Sequence, residues 1–359
     1  MARLSLLLAL AVAASALAAP VTLIDNGQPR AVIVTAANDP KAETAAKALQ
    51  TYLAQMSGTT LPIVKEGDAL PAGLTARVLV GHTDAAKRLG VKIPAGFDPS
   101  IRPAAFSEEG YVLRTRGRDV VVGGNADGPY YGTVFAAYAL LERLGCRWYF
   151  PGEWGEVIPE QKTVIVPDLN VTARPDFAVR GIWLSGWVPI TAAERAAYTE
   201  WSARVGFSSG NPNGQFYPIP GDGYLGCLLP PKEYKATHME YYAMNKQGVR
   251  EVAARDLERL TMLCLSNPDV LAESISNIKK AFAGEKRLAC VFPNGVGISP
   301  PDGAPYCYCD RCLAQSQHFD YPTYTHEKMQ SEEFFGFAAR LADTFPDKWI
   351  ATAGYALRE

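Results

Sequence analysis

The chain has 359 residues, a formal net charge of -2, 48% hydrophobic and 20% charged residues. That balance fits a globular protein of two or three domains. It argues against nucleic acid as partner, since a phosphate-binding surface needs an excess of cations.

The first stretch, "MARLSLLLALAVAASALAAP", has a basic start at Arg3, an apolar run from Leu4 to Ala14 and small residues at Ala16 and Ala18. This is the pattern of a secretory signal peptide over residues 1–18, cut before Ala19. The run is shorter than the roughly 20 residues that span a bilayer. The expectation is a secreted or periplasmic protein, without a transmembrane segment after cleavage.

Residues 19–172 are expected to form a first domain. "RAVIVTAA" suggests a strand, and "DPKAETAAKALQTYLAQMSG" a helix capped by Asp39, with Pro40 in its first turn and Gly58 at its end. Ala42, Ala45, Leu49, Leu53 and Met56 recur on one face of it. "ARVLVGH" is a strand, "EGYVLRTRGRDVVVGG" a hairpin turning near Gly117, and "GPYYGTVFAAYALLERLG" a helix with Val134, Tyr138, Leu141 and Leu144 inward. "KTVIVP" is expected to close the domain as an edge-like strand, giving a small α/β sandwich.

Residues 173–359 alternate strand and helix: "FAVRGIWLSG", then "TAAERAAYTEWSARVG" with a Thr191–Glu194 capping box. An irregular segment through Tyr234 follows, then "RLTMLCLSN", the helix "PDVLAESISNIKKAFAG" and the strand "RLACVFPNGVGIS". The helix "SEEFFGFAARLADTF" and the strand "KWIATAGY" come last. This alternation predicts a parallel α/β sheet, open or barrelled. Too few residues remain for a complete (β/α)8 barrel of about 250, so a barrel here is expected to be truncated at its C-terminal end.

Three short motifs lack the context their chemistry needs. "GFSSG" at Gly206–Gly210 follows a helix rather than a strand, "GDGYLG" at Gly221–Gly226 is flanked by prolines, and "HEKMQ" from His326 lacks the second histidine of a zinc-protease helix.

The loop of residues 302–312, "DGAPYCYCDRC", carries Cys307, Cys309 and Cys312. Three soft donors at this spacing suit a structural zinc, with His318, Cys264, Cys227 or Cys290 as the fourth ligand; disulfides or free thiols are the alternatives. Cys146 brings the total to seven, an odd number that leaves at least one outside any intrachain bridge. A closed thiolate site has no open position for water, so the cysteines are expected to shape the loop rather than to catalyse. Asp302 lies beyond a predicted strand, where barrel chemistry sits, although Asp-Gly is also a common turn pair. Trp183 and Trp187 offer flat faces to sugar rings. Asn267 follows the "LCLS" strand and equally suits a helix cap before Pro268.

"YYGTVFAAYALLERLGCRWYFPGEWGEVIP" resembles the end of the N-terminal domain of α-glucuronidases and family 20 β-hexosaminidases. "ATHMEYYAMNKQGVR", "TMLCLSNPDVL" and "GISPPDGAPYCYCDRC" resemble pieces of the domain of unknown function 4838, a group of exported bacterial proteins with a family 20-like glycoside hydrolase barrel. The resemblance implies an N-terminal α/β domain before a TIM-type barrel that acts on polysaccharide or glycoconjugate. Within the matching motifs, Asp302 and Glu240 are the catalytic candidates, and His238 and Tyr241 join Trp183, Trp187 and Asn267 as substrate-binding candidates. The adjacent Asp-Glu pair of family 20 is absent, because Gly303 follows Asp302. No catalytic cofactor is expected. The expected partner is carbohydrate, and a non-catalytic carbohydrate-binding or surface protein is the alternative.

Overall fold

The computed structural model describes residues 19–96, 109–128, 130–177, 180, 182, 190–207, 223–293, 295–301, 306–316 and 330–354. The described residues through 207 form one compact unit and those from 223 a second. The protein is mixed α/β, with several sheets. None of its described helices is long and apolar enough to cross a membrane.

The first unit opens with β1 (Val21–Asp25) and β2 (Gln28–Pro29), then β3 (Ala31–Thr35), α1 (Pro40–Ser57), β4 (Ile63–Lys65), β5 (Ala76–Val80) and α2 (Asp84–Arg88). It continues with β6 (Tyr111–Arg116), β7 (Asp119–Gly124), α3 (Gly132–Arg143), β8 (Arg147–Trp148) and β9 (Glu156–Val157). The last elements are β10 (Val164–Val166), β11 (Asn170–Ala173) and α4 (Ala192–Arg204). Six strands make the main sheet in the order β11-β6-β7-β5-β3-β4. β4, β3, β5 and β7 run parallel to their neighbours, and β6 and β11 add an antiparallel margin.

Alternation of side chains sorts the two faces. Ile33, Val78, Val80, Val120 and Val122 point toward Leu49 and Leu53 of α1 and Leu140 and Leu141 of α3. Val32, Val34, Leu79 and Val121 pack instead on Ala85 and Ala86 of α2. Cover on both faces is why β3 and β7 are buried at every position.

The caps form as the sequence predicts. Asp39 Oδ1 accepts the amides of Lys41 at 2.9 Å and Ala42 at 3.0 Å, and Gly58 takes a φ of 78°. Thr191 and Glu194 complete the capping box of α4. A Cβ at Gly124 would lie 2.3 Å from the carbonyl carbon of Gly132, so the approach of α3 to β7 requires glycine.

"KTVIVP" forms an edge strand as expected: it is β10, at the edge of a separate three-stranded sheet, β10-β1-β2. That sheet depends on a hairpin turned by Asn26 and Gly27 at φ 50° and 77°, the pair of left-handed residues a two-residue hairpin needs.

The second unit contains α5 (Pro231–Tyr234), α6 (Pro268–Phe282), β12 (Val291–Phe292), β13 (Gly295–Gly297), α7 (Asp310–Gln315), α8 (Ser331–Thr344) and β14 (Trp349–Ala351). β13 and β14 pair in parallel, with α7 and α8 between them in the chain. "RLACVFPNGVGIS", expected as one strand, instead forms the antiparallel pair β12–β13. Pro293 lacks the amide that would continue a ladder. "RLTMLCLSN" is not a strand either. It makes one antiparallel bridge, Leu263 to Tyr242, although Thr261–Leu265 is wholly buried. "FAVRGIWLSG" and "HEKMQ" lie largely or wholly outside the described residues.

Candidate metal centre

The cysteine loop supplies three thiols through local geometry. Cys309 is the N-cap residue of α7 and Cys312 lies in that helix, three positions on, so both side chains sit on one face. Cys307 precedes them outside any regular element. The fourth thiol arrives through space: Cys264, in the buried run before α6. Its Sγ lies 3.7 Å from that of Cys309 and 3.8 Å from that of Cys312, and all four sulfurs fall within 4.8 Å of one another. Zinc–sulfur bonds of about 2.3 Å in a tetrahedron imply sulfur–sulfur edges of about 3.8 Å. A disulfide needs about 2.05 Å, and all seven cysteines are free. The four are buried, at 0 to 7% exposure.

The surroundings favour ionised sulfur. The Met244 amide donates to Cys307 Sγ at 3.3 Å, and Ser266 Oγ lies 3.0 Å from Cys312 Sγ. The thiols perturb one another in opposite directions. Hydrogen bonding from Cys307 and Cys312 holds Cys264 well below the usual thiol range, against the effect of burial. The hydrogen bond with Cys264 pushes Cys307 up to about 12 and raises Cys312 as well. Crowded like charges allow one thiolate; a bound cation would let all four ionise. This buried cluster can hold a metal ion.

The remaining cysteines lie elsewhere. Cys227 is near Cys290, and the hydrogen bond between them is the main cause of its raised pKa. Burial pushes Cys146, in the first unit, up to about 11. His318 lies outside the described residues.

Four of the nominated residues meet in one patch of this second unit: Glu240 is exposed and His238 half-buried, over buried Tyr241 and Asn267. The rings of His238 and Tyr241 stack with centroids 4.6 Å apart and planes 8° apart, and His238 Nδ1 lies 2.9 Å from Glu240 Oε1. Tyr234 packs against both rings. The Asn267 side chain caps α6, accepting the Asp269 amide at 3.1 Å, and donates to the Glu240 carbonyl at 3.4 Å. That makes it part of the scaffold under the patch. The hydrogen bond with His238 is the main cause of a lowered Glu240 pKa, so the carboxylate is ionised at neutral pH. A general acid needs the opposite shift; Glu240 suits a base, a nucleophile or a positioning group. Asp302, Trp183 and Trp187 lie outside the described residues.

Backbone pairing joins patch and thiols. Cys264 N donates to Tyr241 O at 2.8 Å, and Tyr308 N to Met244 O at 2.8 Å. Sequence reading placed Cys264 among four candidates for the fourth ligand, with His318, Cys227 and Cys290. No local signal separates it from Cys227 or Cys290, because only the tertiary pairing brings it to the loop.

A mixed α/β protein with a four-thiol centre in its second unit is thus defined. The chain belongs to the family described as domain of unknown function (DUF4838), whose model matches residues 150–359. No curated protein matches the chain.

Proposed function

We propose that Cys264, Cys307, Cys309 and Cys312 hold a structural zinc ion, and that the protein is an exported glycoside hydrolase acting on polysaccharide or glycoconjugate. The metal part is carried by one observation: four buried sulfurs with spacings of 3.7 and 3.8 Å, the edge of a zinc tetrathiolate. Zinc, when bound, supplies a cross-link between two chain segments, the run at Cys264 and the loop of Cys307, Cys309 and Cys312. Four protein ligands leave it no position for substrate, so hydrolysis belongs to other residues.

The carbohydrate part rests on the resemblance to family 20-like barrels and on the patch beside the centre. The parallel pair β13–β14 with intervening helices is compatible with a (β/α)8 barrel preceded by an α-glucuronidase/hexosaminidase-type domain. Half-buried His238, stacked on buried Tyr241, offers an aromatic ring beside the ionised Glu240. Glycoside hydrolysis needs a second carboxyl as proton donor, a role that falls to Asp302. The alternative is a protein that binds glycan through the same patch without cleaving it.

The test has two arms. Elemental analysis of the purified full chain should find one zinc per chain; no metal would sink that part. Sugar release from a panel of glycans should be abolished by Asp302→Asn and lowered at least tenfold by Glu240→Gln. Binding without release supports the alternative, and neither binding nor release removes carbohydrate altogether.

A further inference from the structure

A zinc ion with four thiolates carries a net charge of two minus, and this one would sit against Leu263, Leu265, Phe334 and Phe337, all of one apolar core. Buried charge is costly unless it is offset. Glu333, 3% exposed, reaches Cys312 from α8 and brings no positive charge. Among the described residues, Arg250 is brought beside the thiols by its neighbours. It pairs with Met244, whose amide donates to Cys307 Sγ at 3.3 Å, and it bonds Tyr242, next to the Tyr241 carbonyl that pairs with Cys264. Its charge acts on Cys264, Cys307 and Cys309.

Its position is built. Met244 and Arg250 form an antiparallel bridge. The turn between them is closed by Asn245 N donating to Val249 O at 2.8 Å and by Asn245 Oδ1 accepting the Gln247 and Val249 amides. Arg250 Nη1 then donates to Tyr242 O at 2.6 Å, fixing the plane of the guanidinium. The same short ribbon therefore presents the Met244 amide to Cys307 and carries the Arg250 guanidinium beside Cys264.

We propose that Arg250 is the counter-ion of the metal centre: it offsets the tetrathiolate charge and sets how firmly the metal is held. This rests on the zinc reading. Groups that hydrogen-bond metal ligands typically govern metal affinity by about 10–100-fold. A planar, permanently charged fork that can serve a sulfur and a carbonyl together is a property of arginine that lysine lacks.

The experiment uses the full chain with Zn(II) and a competing chelator, and Co(II) as a spectroscopic substitute. Arg250→Gln should still take up one metal but hold it about 10–100-fold more weakly, with a shifted sulfur-to-cobalt charge-transfer band. Arg250→Lys should recover part of the affinity. Gln affinity within twofold of wild type, with an unmoved band, overturns the proposal while leaving the zinc reading intact. Equal weakness of Gln and Lys also overturns it, since the side chain would then act through Tyr242 alone. A wild-type chain that takes up no Zn(II) overturns both readings. Should Arg250→Gln fail to fold, Arg250→Met takes its place: weaker binding with a shifted band supports the counter-ion, and affinity within twofold of wild type with an unmoved band overturns it.

Discussion

The two units solve the same problem by different means. The first buries a two-faced sheet under α1, α3 and α2, and its core is mainly of aliphatic residues that repeat with the period of their elements, joined by Tyr52, Trp148 and Trp201. The second has few strand residues, many irregular segments and four thiols at the centre of its core. One core is made by periodic apolar burial. The other gathers four thiols that can hold a metal, from segments with little regular structure to keep them in register.

The sharpest break in that comparison is loss of the four-thiol cluster. Structural zinc contributes about 10–16 kcal/mol of apparent binding free energy, as much as the whole stability of a typical domain, about 5–15 kcal/mol. Stripping metal by chelator, or Cys312→Ser, should therefore abolish hydrogen-exchange protection at the Cys264 amide. Protection in β3 and β7 should be unchanged. Equal loss in both units would mean that they do not differ in the way proposed.

Leu49→Ala reverses the comparison. Leu49 is fully buried under the main sheet, and such a deletion costs about 2–5 kcal/mol. The loss should appear in denaturant unfolding of the first unit and be the same with or without chelator. A smaller effect comes from Tyr52→Phe. The Tyr52 hydroxyl accepts the Trp148 indole N–H at 3.0 Å and bonds Glu156 at 3.2 Å. Its removal strands a buried donor, at about 1–3 kcal/mol, measurable in the same unfolding curve.

The contrast also explains what was legible in sequence. Asp39, Pro40 and Gly58 mark the ends of α1 with local chemistry, so the helix could be bounded without knowing its neighbours. The Asn26-Gly27 pair carries an equally local signal, for the hairpin that joins β1 to β2 and gives β10 a sheet of its own. In the second unit the deciding contacts are between distant segments. Cys307, Cys309 and Cys312 announce themselves by spacing, whereas Cys264 is chosen by the pairing of Leu263 with Tyr242. "TMLCLSN" has the apolar content of a strand because it is buried, and burial there serves the cluster rather than a ladder. His238, Glu240 and Tyr241 were grouped by resemblance, and their stacking at 4.6 Å is a fact of the local 3-10 turn Met239–Tyr241.

The smallest expected effect lies on that turn. Glu240 is exposed, and its pKa is lowered mainly by the hydrogen bond from His238. A carboxyl with a depressed folded pKa stabilises the fold above its unfolded pKa, near 4.3 for glutamate, and loses that contribution as pH falls through the lower folded value. Solvent screening keeps the contribution slight for so exposed a pair, so thermal unfolding should hardly register it. A carbon-13 titration of the Glu240 carboxyl should register it plainly, with a midpoint below the model-peptide value that moves upward in His238→Ala. A midpoint that stays put in that variant would show that the turn's own backbone, rather than the imidazole, holds the charge, and the patch would then lose its one electrostatic link between ring and carboxylate.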